Sequence, residues 1–380
     1  MTVVIAAGGT GGHLYPAVAV AREFLHREPD TSIVFVGTER GLEGTVLSQE
    51  GFVLERITAR PVMGRGLTGA AGALLRLPVA CWQSIKVLRG RRADLVIGIG
   101  GYTSPPVVIA AWLLGIPRAI LEPNAVPGMA NRAIGPLANR VFVAFASAGS
   151  HFRSSRVRLA GTPVRRAFFE PPPVQAEGAA PPIWAKRGQP GQRLTVLVFG
   201  GSQGARAIND AMVEALPHLQ GKIWGTAVTV IHQTGEADYA RVKAAYDGAG
   251  IGNDRVEVVP FLFDMPRALR SADLVVARAG AVTIAELTAC GKPAILIPLP
   301  SAIHHHQERN AEVLVSTGAA VLLLQDQLTG PRLAGEITAL LGDAPRLAAM
   351  GTRSRELGRT DSAEVIVSEC LALARREARG

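Results

Sequence analysis

Two glycine-rich runs, Gly8-Gly9-Thr10-Gly11-Gly12-His13 and Gly200-Gly201-Ser202-Gln203-Gly204, each stand between a short apolar run and a helical pattern. Glycine there lets the backbone turn tightly and brings amide N–H groups, with a helix N-terminus behind them, close to an anion such as a phosphate. Two such loops in two similar halves point to a diphosphate donor on one side and a diphosphate-bearing or similar acceptor on the other. A third turn, Gly100-Gly101-Tyr102-Thr103-Ser104, closes another apolar run and belongs beside the first loop if their strands pair. His13 stands at the mouth of the first loop, and an imidazole with an ordinary pKa of roughly 6.5 is the candidate general base. Glu122 and Asn124 follow a strand at the end where α/β sheets take ligands, so they either line a cleft or cap a loop. Glu286 falls about one and a half turns into the helix after Arg278-Ala279-Gly280, as an acceptor for both ribose hydroxyls or as a solvated helix residue.

Several other chemistries fit poorly. A dinucleotide fingerprint starting at Gly9 and Gly11 needs a third glycine where Leu14 stands, and the second loop has no G-x-G; Glu39 keeps a dehydrogenase as the alternative. The Gly291-Lys292 pair is followed by Pro293 and is no Walker loop. His304, His305 and His306 point in different directions in any regular structure, without H-x-x-x-H spacing or a carboxylate motif, so no metal site is expected. D-x-D, which commonly holds a cation on a nucleotide-sugar diphosphate, is absent. Neither a metal nor another cofactor is expected.

These residues need a scaffold, and the chain supplies two. Apolar runs at 3–9, 32–37, 93–101, 119–124 and 139–145 alternate with helix-length segments, and the scheme restarts at 194–201, 227–235, 256–261, 272–280 and 293–300. Strands without polar alternation belong to parallel sheets covered on both faces, so each half reads as a doubly wound, Rossmann-like α/β domain. Length agrees, because single cores stop growing near 250–300 residues and this chain has 380. The Pro- and Gly-dense stretch 171–192 reads as a linker. We expect domains at 1–164 and 193–352 joined by a linker at 165–192, a cleft between their carboxyl edges, and a helix in 353–380 that returns to the first domain.

Charge is unevenly distributed. Residues 1–160 hold 17 Lys and Arg against 9 Asp and Glu, whereas 161–380 hold 23 against 22, so an anionic partner touches the first half. Within 72–92, Leu74, Leu75, Leu77, Val79, Trp82 and Ile85 interleave with Arg76, Lys86, Arg89, Arg91 and Arg92, the mixture an interfacial helix uses on anionic lipid; a plain amphipathic helix packed on the sheet is the alternative. Nucleic acid is not expected, because aromatic residues make only 5% of the chain and form no stacking platform. Cys81, Cys290 and Cys370 lack partner spacing, the N-terminus reads as a strand rather than a signal peptide, and no apolar run reaches a membrane span.

GGTGGHLYP, GGYTSPP, LEPNAVPGMANR, GTPVR, GGSQGARAIN, RAGAVTIAE and HHQERNA occur in this order across nearly the whole chain. Together they resemble the bacterial lipid I N-acetylglucosaminyltransferases, the MurG family, of GT-B architecture. The resemblance implies inverting transfer of GlcNAc from UDP-GlcNAc to the 4-hydroxyl of lipid I, giving lipid II for peptidoglycan. It implies the donor diphosphate near Ser202, Gln203 and Gly204, the ribose on Glu286, and the sugar near Ala281, His306 and Gln307. Arg165 and Asn124, with Thr10, Gly11 and Gly12, would face the donor from the first domain. Gly11, Gly12, His13, Gly100, Gly101, Tyr102, Thr103 and Ser104 would receive the lipid-linked acceptor. Leu74, Leu75, Arg76, Trp82, Lys86 and Arg89, with Trp112, would dock peripherally on anionic phospholipid at the cytoplasmic face. Pro105, Pro123 and Thr162 depart from the family's usual Gly, Gln and Asn. A non-catalytic membrane adaptor and another GT-B enzyme with a different lipid acceptor are the remaining alternatives.

Overall fold

The computed structural model describes residues 1–8, 11–38, 43–59, 66–169, 193–201, 203–219, 228–252, 254–302 and 305–377; the side chains of 66–75 and of 377 lie outside that description. Thr10, Glu39, Ser202 and His304 therefore fall outside it, as does most of the expected linker. The chain divides into two compact units, one made of 1–165 and 359–380, the other of 166–358.

The first unit carries strands β1 (Thr2–Ala6), β2 (Ser32–Gly37), β3 (Val53–Arg56), β4 (Leu95–Gly98), β5 (Arg118–Glu122), β6 (Arg140–Val143) and β7 (Val157–Leu159). They form one parallel sheet in the order β3-β2-β1-β4-β5-β6-β7. Its helices are α1 (Gly11–Arg27), α2 (Glu43–Gln49), α3 (Gly66–Gly90), α4 (Ser104–Leu113), α5 (Met129–Ile134) and the single turn α6 (Ala146–Gly149). Alternation along β1 explains why both faces are covered. Val3 and Ile5 pack with Leu14, Val18 and Phe24 of α1, while Val4 and Ala6 pack with Val107, Val108 and Ala111 of α4 and Leu88 of α3.

The second unit repeats the plan with β8 (Leu194–Phe199), β9 (Val228–Gln233), β10 (Val256–Val259), β11 (Leu274–Ala277), β12 (Ala294–Leu296) and β13 (Ala320–Leu322), ordered β10-β9-β8-β11-β12-β13 and parallel throughout. Helices α7 (Arg206–Leu219), α8 (Tyr239–Gly248), α9 (Met265–Ser271), α10 (Ala281–Cys290), α11 (His306–Ser316), α12 (Gly330–Leu341) and α13 (Ala344–Glu356) belong to it. A last helix, α14 (Ser362–Glu377), packs on α1 in the first unit. Ile366, Val367, Cys370 and Leu371 complete the core on the α1 side, and Arg27–Glu364, Arg140–Glu369 and Arg158–Glu369 ion pairs frame it.

Strand order reverses between β1 and β4 and again between β8 and β11. Loops leaving such neighbouring strands open away from each other, and α/β sheets bind ligands in the crevice that results. The glycine loops after β1 and β8 both leave these points.

Candidate active site

At the first switch point Val3–Ala6 pair in register with Leu95–Gly98, which puts the turn after β4 against the loop after β1. The approach admits no side chain. Gly100 and Gly101 have φ of 95° and 72°, and a Cβ on Gly101 would stand 2.5 Å from the carbonyl oxygen of Gly8. His13 lies half-buried in the first turn of α1, its Nε2 edge toward Gly100 and its Nδ1 toward Gly101. Tyr102 reaches β2's end, its hydroxyl 3.2 Å from Thr38 Oγ1. Two residues expected to touch the acceptor do not reach the surface, because Thr103 and Ser104 are both 0% exposed. Ser104 Oγ lies 3.1 Å from Ala6 O and 2.7 Å from Gly100 O and accepts the Gly100 N–H at 3.0 Å, so it locks the turn shut. The side chain of Thr103 is buried against Gly8.

Glu122 ends β5 as the hub of the next loop. Its Oε1 accepts the backbone and side-chain N–H of Asn124 at 2.9 and 3.1 Å; its Oε2 accepts Gly128 N–H at 2.9 Å and Asn131 Nδ2 at 3.0 Å. Burial pushes the Glu122 carboxyl above the usual carboxylate range, while these four donors pull it back. The two readings left open for Glu122 and Asn124 thus separate: Glu122 is the loop's clamp, and Asn124 is the half-buried side chain it orients. Arg165 is brought to the same region by cation–π contact, its guanidinium carbon 4.8 Å from the centre of the Tyr15 ring on α1.

At the second switch point Ala277 is in register with Phe199, so the turn after β11 runs beside the loop after β8. Gln203 is exposed, and Gly204, at φ 76°, donates its N–H to Gly201 O at 2.9 Å. A Cβ on Gly204 would collide with Thr234 O at the end of β9. Behind the loop Asn209 donates to Thr234 O and to Asp238 Oδ2, both at 2.9 Å, and accepts from His232 Nε2 at 3.1 Å. His232 Nδ1 faces Tyr246 Oη at 3.2 Å, and burial pushes the imidazole down to about 3, so it is neutral. Ala281 opens α10 behind Gly280, and Glu286 is buried on the same helix. Gln307 Oε1 accepts the Leu299 N–H at 2.9 Å and Asn310 donates to Ala279 O at 3.2 Å, which fixes the start of α11, with His306, beside the turn after β11. Arg278, buried, donates to Ile297 O and Pro298 O at 3.0 Å and to Gln325 Oε1 at 2.7 Å.

The structure thus gathers Gly11, Gly12, His13, Gly100, Gly101 and Tyr102 at one switch point, and Gln203, Gly204 and Ala281 at the other, with Glu286 buried further along α10. Sequence reasoning missed Asn131, Asn209, His232 and Arg278. Asn131, Asn209 and Arg278 stand inside the quoted motifs, which was their one signal. Among the described residues no three His, Cys, Asp or Glu side chains cluster as metal ligands.

Away from both points, α3 packs on α4. Ala80, Ser84 and Leu88 face inward at helical spacing, leaving Val79, Trp82, Lys86 and Arg89 on the opposite face, with Arg76 also exposed. Trp82 is 56% exposed with Lys86 Nζ 3.6 Å above its ring, and Trp112 and Leu113 on α4 are 48% and 58% exposed. Ile85 packs partly into the core instead, and the side chains of Leu74 and Leu75 lie outside the described residues. No helix among the described residues is long and apolar enough to cross a membrane.

Residues 3–143 match the glycosyltransferase family 28 N-terminal domain and residues 195–366 its C-terminal domain. The chain is 44% identical to a protein of Syntrophus aciditrophicus named UDP-N-acetylglucosamine--N-acetylmuramyl-(pentapeptide) pyrophosphoryl-undecaprenol N-acetylglucosamine transferase, over 98% of this chain and 99% of that one. This chain belongs to the MurG family. A relative of the same name in Geobacter sulfurreducens is also 44% identical, over 99% of this chain and all of its own length. The crystal structure of Acinetobacter baumannii MurG superposes with a TM-score of 0.74 at 28% identity, covering 98% of this chain and 100% of that one. Membership of this family replaces the dehydrogenase alternative, and the two Rossmann-like parallel sheets are those of the GT-B class.

Proposed function

We propose that this chain transfers N-acetylglucosamine from UDP-GlcNAc to lipid I, forming lipid II in peptidoglycan synthesis. Near-end-to-end kinship with transferases of that name carries the proposal. In the reaction the 4-hydroxyl oxygen of the muramoyl sugar attacks C1 of GlcNAc, the bond from C1 to the β-phosphate oxygen breaks, and UDP leaves with the electron pair. One in-line displacement turns the α-linked donor into a β-linked product. His13 takes the hydroxyl proton, which its position beside the Gly100–Gly101 turn supports.

The donor lies on the second unit. Ser202, Gln203 and Gly204 hold the diphosphate, Glu286 the ribose, and Ala281, His306 and Gln307 the sugar. Negative charge grows on the diphosphate as UDP departs, and the amides of the 200–206 loop with the N-terminus of α7 stabilise it. Thr10, Gly11, Gly12, Asn124 and Arg165 are the first unit's donor-binding residues in this reading. Gly11–His13 and Gly100–Ser104 take the acceptor, at a turn that Ser104 holds closed.

The acceptor is lipid-linked, and the exposed face of α3 and α4 suits an anionic phospholipid surface. Trp82 and Trp112 enter the interface while Arg76, Lys86 and Arg89 meet the headgroups, so the enzyme sits peripherally on the cytoplasmic face of the membrane. Nucleic acid is no partner in this scheme. The decisive assay is UDP release from UDP-GlcNAc with a short-chain lipid I analogue, in EDTA, against a control without acceptor. Acceptor-dependent release is expected; UDP binding without release sends the search to another lipid acceptor.

A further inference from the structure

Arg278 follows the last residue of β11 and is 8% exposed, yet among the described residues its guanidinium donates only to uncharged oxygens. Nη1 reaches Ile297 O and Pro298 O, both at 3.0 Å, and Nη2 reaches Gln325 Oε1 at 2.7 Å. A buried cation without an ion pair is costly to keep, which directs attention to the groups it holds. These stand where the sheet runs out. The Ile297 N–H donates to Ala277 O and the Leu323 N–H to Leu296 O, which closes the pairings of β11, β12 and β13. Beyond those bonds the Arg278 fork joins the carboxyl ends of all three strands, Gln325 lying in the turn Gln325–Gln327 after β13.

The chain leaves the interior immediately after this clamp, for Pro298 is buried whereas Leu299 and Pro300 are exposed. Neither proline has an N–H, so Leu299 supplies the one backbone donor of that tripeptide, and it goes to Gln307 Oε1 at 2.9 Å. A backbone N–H can meet only the oxygen of a carboxamide. This bond therefore fixes which way round the Gln307 amide sits and leaves its Nε2–H2 as the group it can offer a ligand. Arg278, the root of the loop and Gln307 thus form one line of support.

We propose that Arg278 is a positioning residue for the sugar end of the donor: by clamping Pro298 O it sets the Leu299 N–H, which in turn holds Gln307 with its amide hydrogens presented to a sugar oxygen. The proposal rests on the reading that places Gln307 at the sugar. Arg278 itself is buried and acts through the loop. Its partners lie on the β12 side of β11, whereas β8 and the glycine loop assigned to the diphosphate lie on the other. Loss of the clamp therefore falls on recognition of the sugar and spares recognition of the nucleoside diphosphate.

The test is a double-mutant cycle on the full chain, with Arg278→Met, Gln307→Ala and the pair titrated by calorimetry with UDP-GlcNAc and, separately, with UDP. Arg278→Met keeps the apolar stem and removes the fork; it should weaken UDP-GlcNAc about tenfold, the worth of one misplaced hydrogen bond, and leave UDP within about twofold. In the Gln307→Ala background the same change should alter UDP-GlcNAc affinity less than about twofold, because a residue acting through that amide has nothing left to act on. A merely structural loss would move both ligands together. Equal weakening of UDP and UDP-GlcNAc, equal losses in both backgrounds, or normal UDP-GlcNAc affinity in Arg278→Met overturns the proposal. Normal UDP-GlcNAc affinity in Gln307→Ala instead overturns the placement of Gln307 on which it stands. Should Arg278→Met fail to fold, Arg278→Gln, polar but without the fork, is carried through the same cycle and read by the same criteria.

Discussion

Behind the glycine turn of the first switch point stands a buried carboxylate, Glu122, gripped by four N–H donors. Behind that of the second stand a neutral His232–Asn209 pair and a buried guanidinium, Arg278, whose hydrogen-bond partners are all uncharged. Each front is built on glycine turns, yet the supports differ, a lone carboxylate among amides behind the first and an imidazole–amide pair with Asp238 and a guanidinium behind the second. An anion at the back serves to orient the amides of Asn124, Gly128 and Asn131. Arg278, which donates only to carbonyl and amide oxygens among the described residues, adds a buried positive charge to the second unit. The proposed function assigns proton transfer to the first switch point and leaving-group stabilisation to the second.

Matched glycine variants offer the strongest test of that division. Gly204→Ala drives a Cβ into Thr234 O at a positive φ, so it should cost the second unit about 3 kcal/mol or more and lower UDP affinity at least a hundredfold. Gly101→Ala meets Gly8 O instead and should cut turnover while leaving UDP affinity within about twofold. Calorimetry with UDP and urea melts of both variants would blur the comparison if the two losses fell on the same ligand.

His232 offers a somewhat smaller effect. Its imidazole titrates near 3 in the folded chain against 6.5 ordinarily, so between those values the unfolded chain binds a proton that the folded one refuses. Stability is therefore full above about pH 6.5 and falls on acidification, by up to about 1.4 kcal/mol per pH unit, or roughly 2 kcal/mol at pH 5. Urea melts at pH 7 and pH 5 should show that loss in the second unit's transition, and His232→Asn should remove most of its pH dependence. An unchanged slope would place the acid-sensitive group elsewhere.

The smallest effect belongs to a surface outside both switch points. Lys86→Ala should weaken sedimentation with phosphatidylglycerol vesicles about fivefold, near the 1 kcal/mol that one cation contributes at such a surface, and leave UDP binding untouched. Undiminished sedimentation would return α3 to a purely structural role.

How much of this was legible in the chain depends on how far apart the interacting residues lie. Runs such as Val3–Ala6 and Leu194–Phe199 announce buried parallel strands, and a glycine loop after each marks the ligand end, because those signals are local. Partners distant in sequence were not legible. Nothing local says that Ser104 closes onto Ala6 or that His232 meets Asn209. Hence Thr103 and Ser104 read as ligand contacts although they are buried, and His232 did not read as anything. Amphipathic alternation in α3 was visible, but only the packing on α4 separates Ile85, turned inward, from Trp82, turned out.

The union of α14 with α1 has a bearing on synthesis. A sheet that begins with the first strand made is finished on its α1 side only by Ile366, Val367, Cys370 and Leu371. The second unit, residues 166–358, has by then emerged whole and can fold as a continuous piece. At ordinary elongation rates the first unit waits roughly 10–40 s for its closing helix, with the apolar face beside Phe24 uncovered, so it is the part of the nascent chain that holdase chaperones should meet.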